Sequence, residues 1–179
     1  MRSSEPSIAR GIVTGLVAGI SATILMDQFL KLGGSGQKAI DKQQGRPEGL
    51  HLIDQEPPAT EQEYSTEIVA RKIAETAGRS LDKDEKRKAG QVVHYAFGTL
   101  MGVVYCVTAE VLPEATAGGG TGFGTLLFLG ADEVAVPALR LAPQPTETAP
   151  MDHLQQWAAH VVYGGSLELI RSIIRRLTR

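Results

Sequence analysis

The chain of 179 residues is poor in cysteine, in aromatic residues and in net charge. A single cysteine, Cys106, excludes an intrachain disulfide framework and any cysteine-rich zinc site. A formal net charge of -2 speaks against a dedicated nucleic-acid binder, which would present a basic surplus. There is no phosphate-cradling Walker loop, no dinucleotide-binding glycine pattern after a strand and no nucleophile elbow. No catalytic residue is therefore assigned, and the enzyme reading is the weaker one. His-x-x-x-His and Cys-x-x-Cys-His spacings are missing too. No cofactor follows from the residues, and a metal site stays an open question.

Charge is also missing from particular places. Residues 33–90 hold 21 of the 38 charged side chains. What remains contains four apolar stretches. Gly11 to Met26 carries no charge, and Asp27 is its first interruption. Ala89 to Ala109 contains only His94. The third stretch, from Ala115 to about Leu141, is broken by Asp132, Glu133 and Pro137. The fourth runs from His153 to Leu177, with Glu168 and a basic end. A membrane-spanning helix needs ~20 mostly apolar residues. The second stretch meets this and the first nearly does. The other two meet it if ionisable groups face a bundle interior. Arg2 and Arg10 before the first stretch resemble a secretory signal. Asp27, Lys31 and the glycines beyond it fit a retained span better.

Glycine, by contrast, is abundant, and its spacing is regular. Gly11, Gly15, Gly19 and Thr23 follow at four-residue intervals, Gly98 and Gly102 repeat the spacing, and Gly120 and Gly124 do so again. In water each glycine inside a helix costs about 1 kcal/mol against alanine. In lipid, small residues at i and i+4 let two helix backbones approach closely. Gly11, Gly15, Gly19, Gly98 and Gly102 are therefore expected at helix-packing faces, through which copies of the chain could also associate.

Residues 33–59, with Gly33-Gly34, Gly36, Pro47 and Pro57-Pro58, read as an irregular connection. A short amphipathic helix is predicted near 60–78. Thr60 caps it, Glu63 closes a capping box, Glu67 pairs with Arg71, and Gly78 ends it. Such a helix suits a membrane surface or the side of the bundle.

The ionisable groups within the apolar stretches carry the functional reading. His153, Trp157, His160, Gly164 and Glu168 fall on one helix face, which continues to Arg171 and Arg175. His94, Asp132, Glu133, His160 and Glu168 are expected to form an interior polar cluster. Glu110 and Asp152 lie near predicted helix ends and are expected to face water. Histidine titrates near neutral pH, so the cluster suits ion or proton handling. Metal or haem ligation by His94, His160 and Glu133 is the competing reading, although no Glu-x-x-His spacing leads to either histidine. Pro137, just after Asp132-Glu133, either kinks the third helix or ends it.

Several segments together resemble a known family. They are His94-Tyr95-x-Phe97-Gly98, Tyr105-Cys106-Val107-x-Ala109-Glu110-Val111-x-Pro113, Ala131-Asp132-Glu133-x-Ala135-x-Pro137 and His160-Val161-Val162-Tyr163-Gly164 with Glu168-x-Ile170-Arg171. This pattern, over about residues 89–179 and more loosely Gly11–Leu30, is similar to the YagU-like family of small bacterial inner-membrane proteins of unknown function. Residues 33–88 carry no part of this resemblance. The resemblance implies an integral membrane protein and implies no reaction.

The expected architecture is all-α: a four-helix transmembrane bundle with a polar insert. Residues 1–32 form the N-terminal tail and first span, 33–88 the insert, and 89–179 three further spans with a basic end. Arg10 and the C-terminal arginines then share one side, cytoplasmic by the positive-inside rule. The expected function is non-catalytic: ion or proton handling, or envelope stress, in the bacterial inner membrane. The alternatives are an accessory subunit of a larger membrane complex and a membrane-bound metal or haem protein.

Overall fold

The computed structural model describes residues 7–44, 63–142 and 144–178, and all regular structure among them is helical. Helix α1 spans Ile8–Gln44, α2 Ser65–Thr76 and α3 Lys83–Val111. Helix α4, Thr121–Leu127, passes into a π-helical segment, Phe128–Ala135, and a last turn, α5, Val136–Ala138. Helix α6 spans Pro150–Leu177. The Ile8–Gly33 part of α1 and the whole of α3 are long and apolar enough to cross a membrane.

The long helices alternate in direction. Gly11 lies against Val107, Gly15 against Val103 and Gly19 against Thr99, so α1 and α3 are antiparallel. Arg10 and Arg175 share Glu110, while Gly33 approaches Gln155, so α6 also opposes α1. Gly120 meets Gly164, Thr125 meets Trp157 and Glu133 meets His153, so α4 opposes α6. Helix α1 lies between α3 and α6, α4 packs on α6, and α2 lies along the start of α3. The result is an up-down-up-down bundle. The starts of α1 and α4 and the ends of α3 and α6 share one end.

The distribution of side chains is inverted relative to a water-soluble bundle. The core is built from Ala18, Ala22, Met26 and Leu30 of α1, Tyr105 and Cys106 of α3, and Ala159, Tyr163 and Leu167 of α6. Buried beside it are Thr14, Thr23, Glu110, His160 and Arg171. Many large aliphatic side chains nevertheless point outward: Val13, Val17 and Ile20 on α1, Leu100 and Val104 on α3, Leu126 and Val134 on the α4 segment, Leu169 and Ile173 on α6. Exposed aliphatic residues along every long helix suit a surface that meets something other than water.

Several local expectations are corrected. Helix α1 does not stop at Leu32 but runs through Gly33, Gly34 and Gly36 to Gln44. Extending an existing helix gains one hydrogen bond per residue, which tolerates a few glycines. Helix α2 begins at Ser65, and Thr60 lies outside the described residues. The Tyr64 amide donates to Glu67 Oε2 at 3.1 Å, so Glu67 serves the helix start instead of pairing with Arg71. Arg71 takes Glu63 at 2.9 Å and Glu75 at 2.8 Å. Gly78, at φ 72°, ends α2 in a Schellman motif, with Arg79 N–H donating to Ala74 O and Gly78 N–H to Glu75 O. The charged run from Lys83 to Lys88 is the first part of α3, not a lead-in. Asp82 caps it through a capping box with Glu85.

Pro137 does not kink a continuing helix; the helix ends one residue later, at Ala138. Proline lacks the N–H that the preceding turn would use, and the ladder widens to π geometry just before it. A second Schellman motif closes the end. Leu141 N–H donates to Val136 O, Arg140 N–H donates to Pro137 O, and Arg140 takes the left-handed conformation at φ 55°.

Candidate functional site

Close backbone approach sets where the polar side chains meet. A Cβ on Gly102 would lie 2.5 Å from Gly19 Cα, and one on Gly19 would lie 2.8 Å from Thr99 Cα. Helices α1 and α3 therefore touch backbone to backbone. A second seam joins α4 to α6, where Gly120 and Gly164 face each other and Gly124 faces the His160 carbonyl. Two buried hydrogen bonds lie beside these seams, one within α1 and one from α6 to α3. Thr23 Oγ1 donates to Gly19 O at 2.8 Å, and the Tyr163 hydroxyl donates to Gly98 O at 2.5 Å.

Two polar networks result, one at each end of the bundle. The first lies where the chain ends of α1 and α6 meet. Glu110, nearly fully buried, accepts from Arg10 Nη2 at 3.2 Å and from Arg175 Nη1 at 2.6 Å. Sequence spacing had pointed this residue at water. A carboxylate buried at a helix end is tolerated because two guanidinium groups reach it from other helices. One layer deeper, Glu168 accepts from both Arg171 Nε at 2.7 Å and Arg171 Nη2 at 2.8 Å, and from the Tyr105 hydroxyl at 2.7 Å.

The second network lies toward the opposite end. Asp27 on α1 accepts from the Tyr95 hydroxyl at 2.8 Å and faces His94 Nε2 at 3.1 Å. Across the bundle, the π-helical segment presents two consecutive carboxylates to two histidines of α6. Glu133 Oε1 lies 2.6 Å from His153 Nδ1, and Asp132 Oδ2 lies 3.4 Å from His160 Nε2. Each histidine has its other nitrogen on a main-chain carbonyl: His153 Nε2 on Pro145 O at 2.9 Å, and His160 Nδ1 on Gln156 O at 2.9 Å. His94 and Asp132 lie within Coulombic range of each other, which links the two parts.

Of the five residues expected in one interior cluster, the structure brings His94, Asp132, Glu133 and His160 to one end. Glu168 sits about two helical turns from His160, roughly 12 Å along α6 at 1.5 Å per residue, and joins the arginine network. Three members of the second network were not on the expected list: Asp27, Tyr95 and His153. Asp27 continues the four-residue spacing of the α1 glycine face, and that spacing is the signal that marks it. Among the described residues no group of three or more His, Cys, Asp or Glu is placed to hold a metal ion.

Outside the long helices, Glu63 anchors α2 to α3. Lys86 Nζ donates to it at 2.5 Å and Arg71 Nε at 2.9 Å. The hydrogen bond from Lys86, with that from Arg71, holds its carboxyl below the ordinary value of 4.5. Glu75 and Glu63 in turn hold Arg71 more firmly protonated.

Residues 55–169, well over half of the chain, match a family described as "Protein of unknown function (DUF1440)". The chain is also similar to "Inner membrane protein YagU" of Escherichia coli (strain K12), with 30% identity over 84 residues. That match spans 47% of this chain and 41% of the relative, less than half of either. No solved structure matches the chain. By the extent of the family match, this chain belongs to the DUF1440 family of unknown function.

Proposed function

We propose that the chain crosses the bacterial inner membrane four times, through α1, α3, the α4–α5 segment and α6, and handles protons through the imidazole and carboxylate groups at one end of the bundle. It does so without catalysis. The observation that carries this reading is the side-chain distribution: many large aliphatic residues are exposed, while Glu110, His160 and Arg171 are buried. Ionisable groups inside a membrane bundle are costly and are kept for ion or proton pathways. The segment from Thr121 to Ala138 has 18 residues, at the short end of the ~17–25 that span a bilayer. Arg10, Arg171, Arg175 and Arg176 gather at the end shared by α1 and α6, which favours cytoplasmic chain ends. The inner-membrane relative agrees with this location.

The alternatives receive less support. The glycines of the α1–α3 and α4–α6 seams are covered within the chain itself, so they offer no surface to a second copy or a larger complex. Metal or haem ligation would need donors that converge, and His94 and His160 each face a carboxylate instead.

The test is proton flux into liposomes containing the purified protein, driven by a potassium diffusion potential and read with a pH-sensitive dye. Wild-type liposomes should acidify several-fold faster than empty ones, and Asp132→Asn should lose most of the excess. Wild-type flux equal to that of empty liposomes would overturn the reading.

A further inference from the structure

Both ring nitrogens of His153 lie within hydrogen-bond distance of oxygens that ordinarily accept. Nε2 is 2.9 Å from Pro145 O, which has no proton to give, so Nε2 must donate. Nδ1 is 2.6 Å from Glu133 Oε1. A neutral ring with its remaining lone pair facing an ionised carboxylate at that distance would be repulsive. One more proton must therefore sit between Nδ1 and Oε1, either as imidazolium with carboxylate or as imidazole with carboxylic acid. His160 repeats the arrangement with the nitrogens exchanged. Nδ1 donates to Gln156 O at 2.9 Å, and Nε2 faces Asp132 Oδ2 at 3.4 Å. This second gap is slightly longer than a closed hydrogen bond of ~2.7–3.2 Å.

We infer that the π-helical segment and α6 form a two-site proton-binding station, a closed site at Glu133–His153 and an open one at Asp132–His160. The ligand of each site is a single proton held between ring and carboxylate. The inference rests on the proton-handling reading for its purpose, and on hydrogen-bond geometry for its content.

The consecutive acids serve histidines seven residues apart because they splay toward opposite ends of α6. The Asp132 side chain reaches toward His160 and the Glu133 side chain toward His153. Within either site the proton passes between nitrogen and carboxylate oxygen without changing the net charge of the pair. Among the described residues, the other charged or titratable groups facing the station are His94, which faces Asp27 on the α1–α3 side while Tyr95 donates to the other Asp27 oxygen, and Asp152 beside His153. The Phe128 ring lies 5.7 Å from the His160 ring, centroid to centroid.

Ring nitrogen signals of 15N-histidine-labelled protein in lipid at neutral pH test this directly. His153 should carry a proton on Nε2 and share one at Nδ1, while His160 should carry its fixed proton on Nδ1. Glu133→Gln should abolish the shared-proton signal of His153 and leave His160 unchanged, and the unchanged His160 signal reports that the variant is folded. Asp132→Asn should change the His160 Nε2 signal and leave the shared-proton signal of His153 unchanged. A neutral His153 ring beside an ionised Glu133, or a shared-proton signal that survives Glu133→Gln, would overturn the station whatever the flux. The expected ring signals in a chain that conducts no protons would instead overturn the proton-handling reading and leave the station standing.

Discussion

Glu110 Oε1 accepts a 2.6 Å hydrogen bond from Arg175 Nη1 across 65 residues of chain, while its other oxygen holds Arg10. One buried carboxylate thus ties together the start of α1 and the ends of α3 and α6. Removing its charge removes the shared acceptor of two cations. Glu110→Gln should destabilise the detergent-solubilised protein by about 1–3 kcal/mol, the range for a charged hydrogen-bond partner lost from a buried site. The exposed Glu114→Gln should change little. Thermal unfolding of the two variants side by side measures the difference.

The α1–α3 seam makes a steric prediction. Gly102→Ala places a methyl group 2.5 Å from Gly19 Cα, so the helices must separate. A cost of about 1–3 kcal/mol is expected for such overpacking. Gly122, on the outer side of α4, has nothing within 4 Å of its added Cβ. Gly122→Ala should be neutral or stabilise by up to about 1 kcal/mol through helix propensity. Similar losses for the two variants would mean that the seam is not closely packed.

Helix α2 should respond to acid. The Glu63 carboxyl loses its proton more readily in the folded protein than its ordinary value of 4.5, chiefly because Lys86 and then Arg71 hydrogen-bond to it. The stabilisation is therefore complete above 4.5 and disappears as pH falls through the lower, folded value. Hydrogen exchange along residues 65–76, corrected for intrinsic rates, should accelerate below about pH 4 in the wild type. Glu63→Gln should show the faster exchange already at neutral pH, with no further acid step from this group.

Buried polar side chains should matter more than outward-facing ones. Leu127, which its place in an apolar stretch marks as lipid-facing, instead packs at the edge of the core, so Leu126, 70% exposed, is the proper comparison. His160→Ala and Glu133→Ala should lower the unfolding temperature in detergent more than Leu126→Ala. Equal shifts would mean that the imidazole–carboxylate pairs do not bind the π-helical segment to α6.

The alternating direction of the helices predicts sidedness. Single cysteines replacing Gly119 and Leu177 should react with an impermeant thiol reagent from one side of the membrane. Those replacing Gly78 and Met151 should react from the other. Gly119 and Gly78 reacting from the same side would eliminate the four-span topology.

Much of the bundle is legible in the residues themselves. The charge-free runs around Gly15 and Gly98 and the four-residue glycine spacing depend only on neighbours within a helix, and they lead to helices with close-packing faces. Gly78 is readable as a helix end for the same reason. Glu110 is not, because the arginines that justify its burial lie 100 and 65 residues away. Glu63 shows the same limit at short range: Arg71 has three acids within eight residues, and the docking of α2 on Lys86 decides among them. The grouping of His94 with Asp132 and His160 follows from helix faces, whereas the departure of Glu168 depends on Arg171 one turn further on. The π-helical widening before Pro137 leaves no mark in hydrophobic periodicity, so the divergence of Asp132 from Glu133 was invisible there.

The order in which the chain is made has a consequence for the α4 segment. Its main packing partner is α6, and the histidines that neutralise Asp132 and Glu133 lie 28 and 20 residues downstream. A nascent chain released as far as Ala138 carries two acids with no imidazole yet in place to receive them. If the chain crosses the membrane four times as proposed, the broken helix has to wait at the translocation machinery, or enter lipid as neutral acids, until α6 emerges and closes the bundle around it. In the four-span reading, α6 completes the insertion of the helix that precedes it.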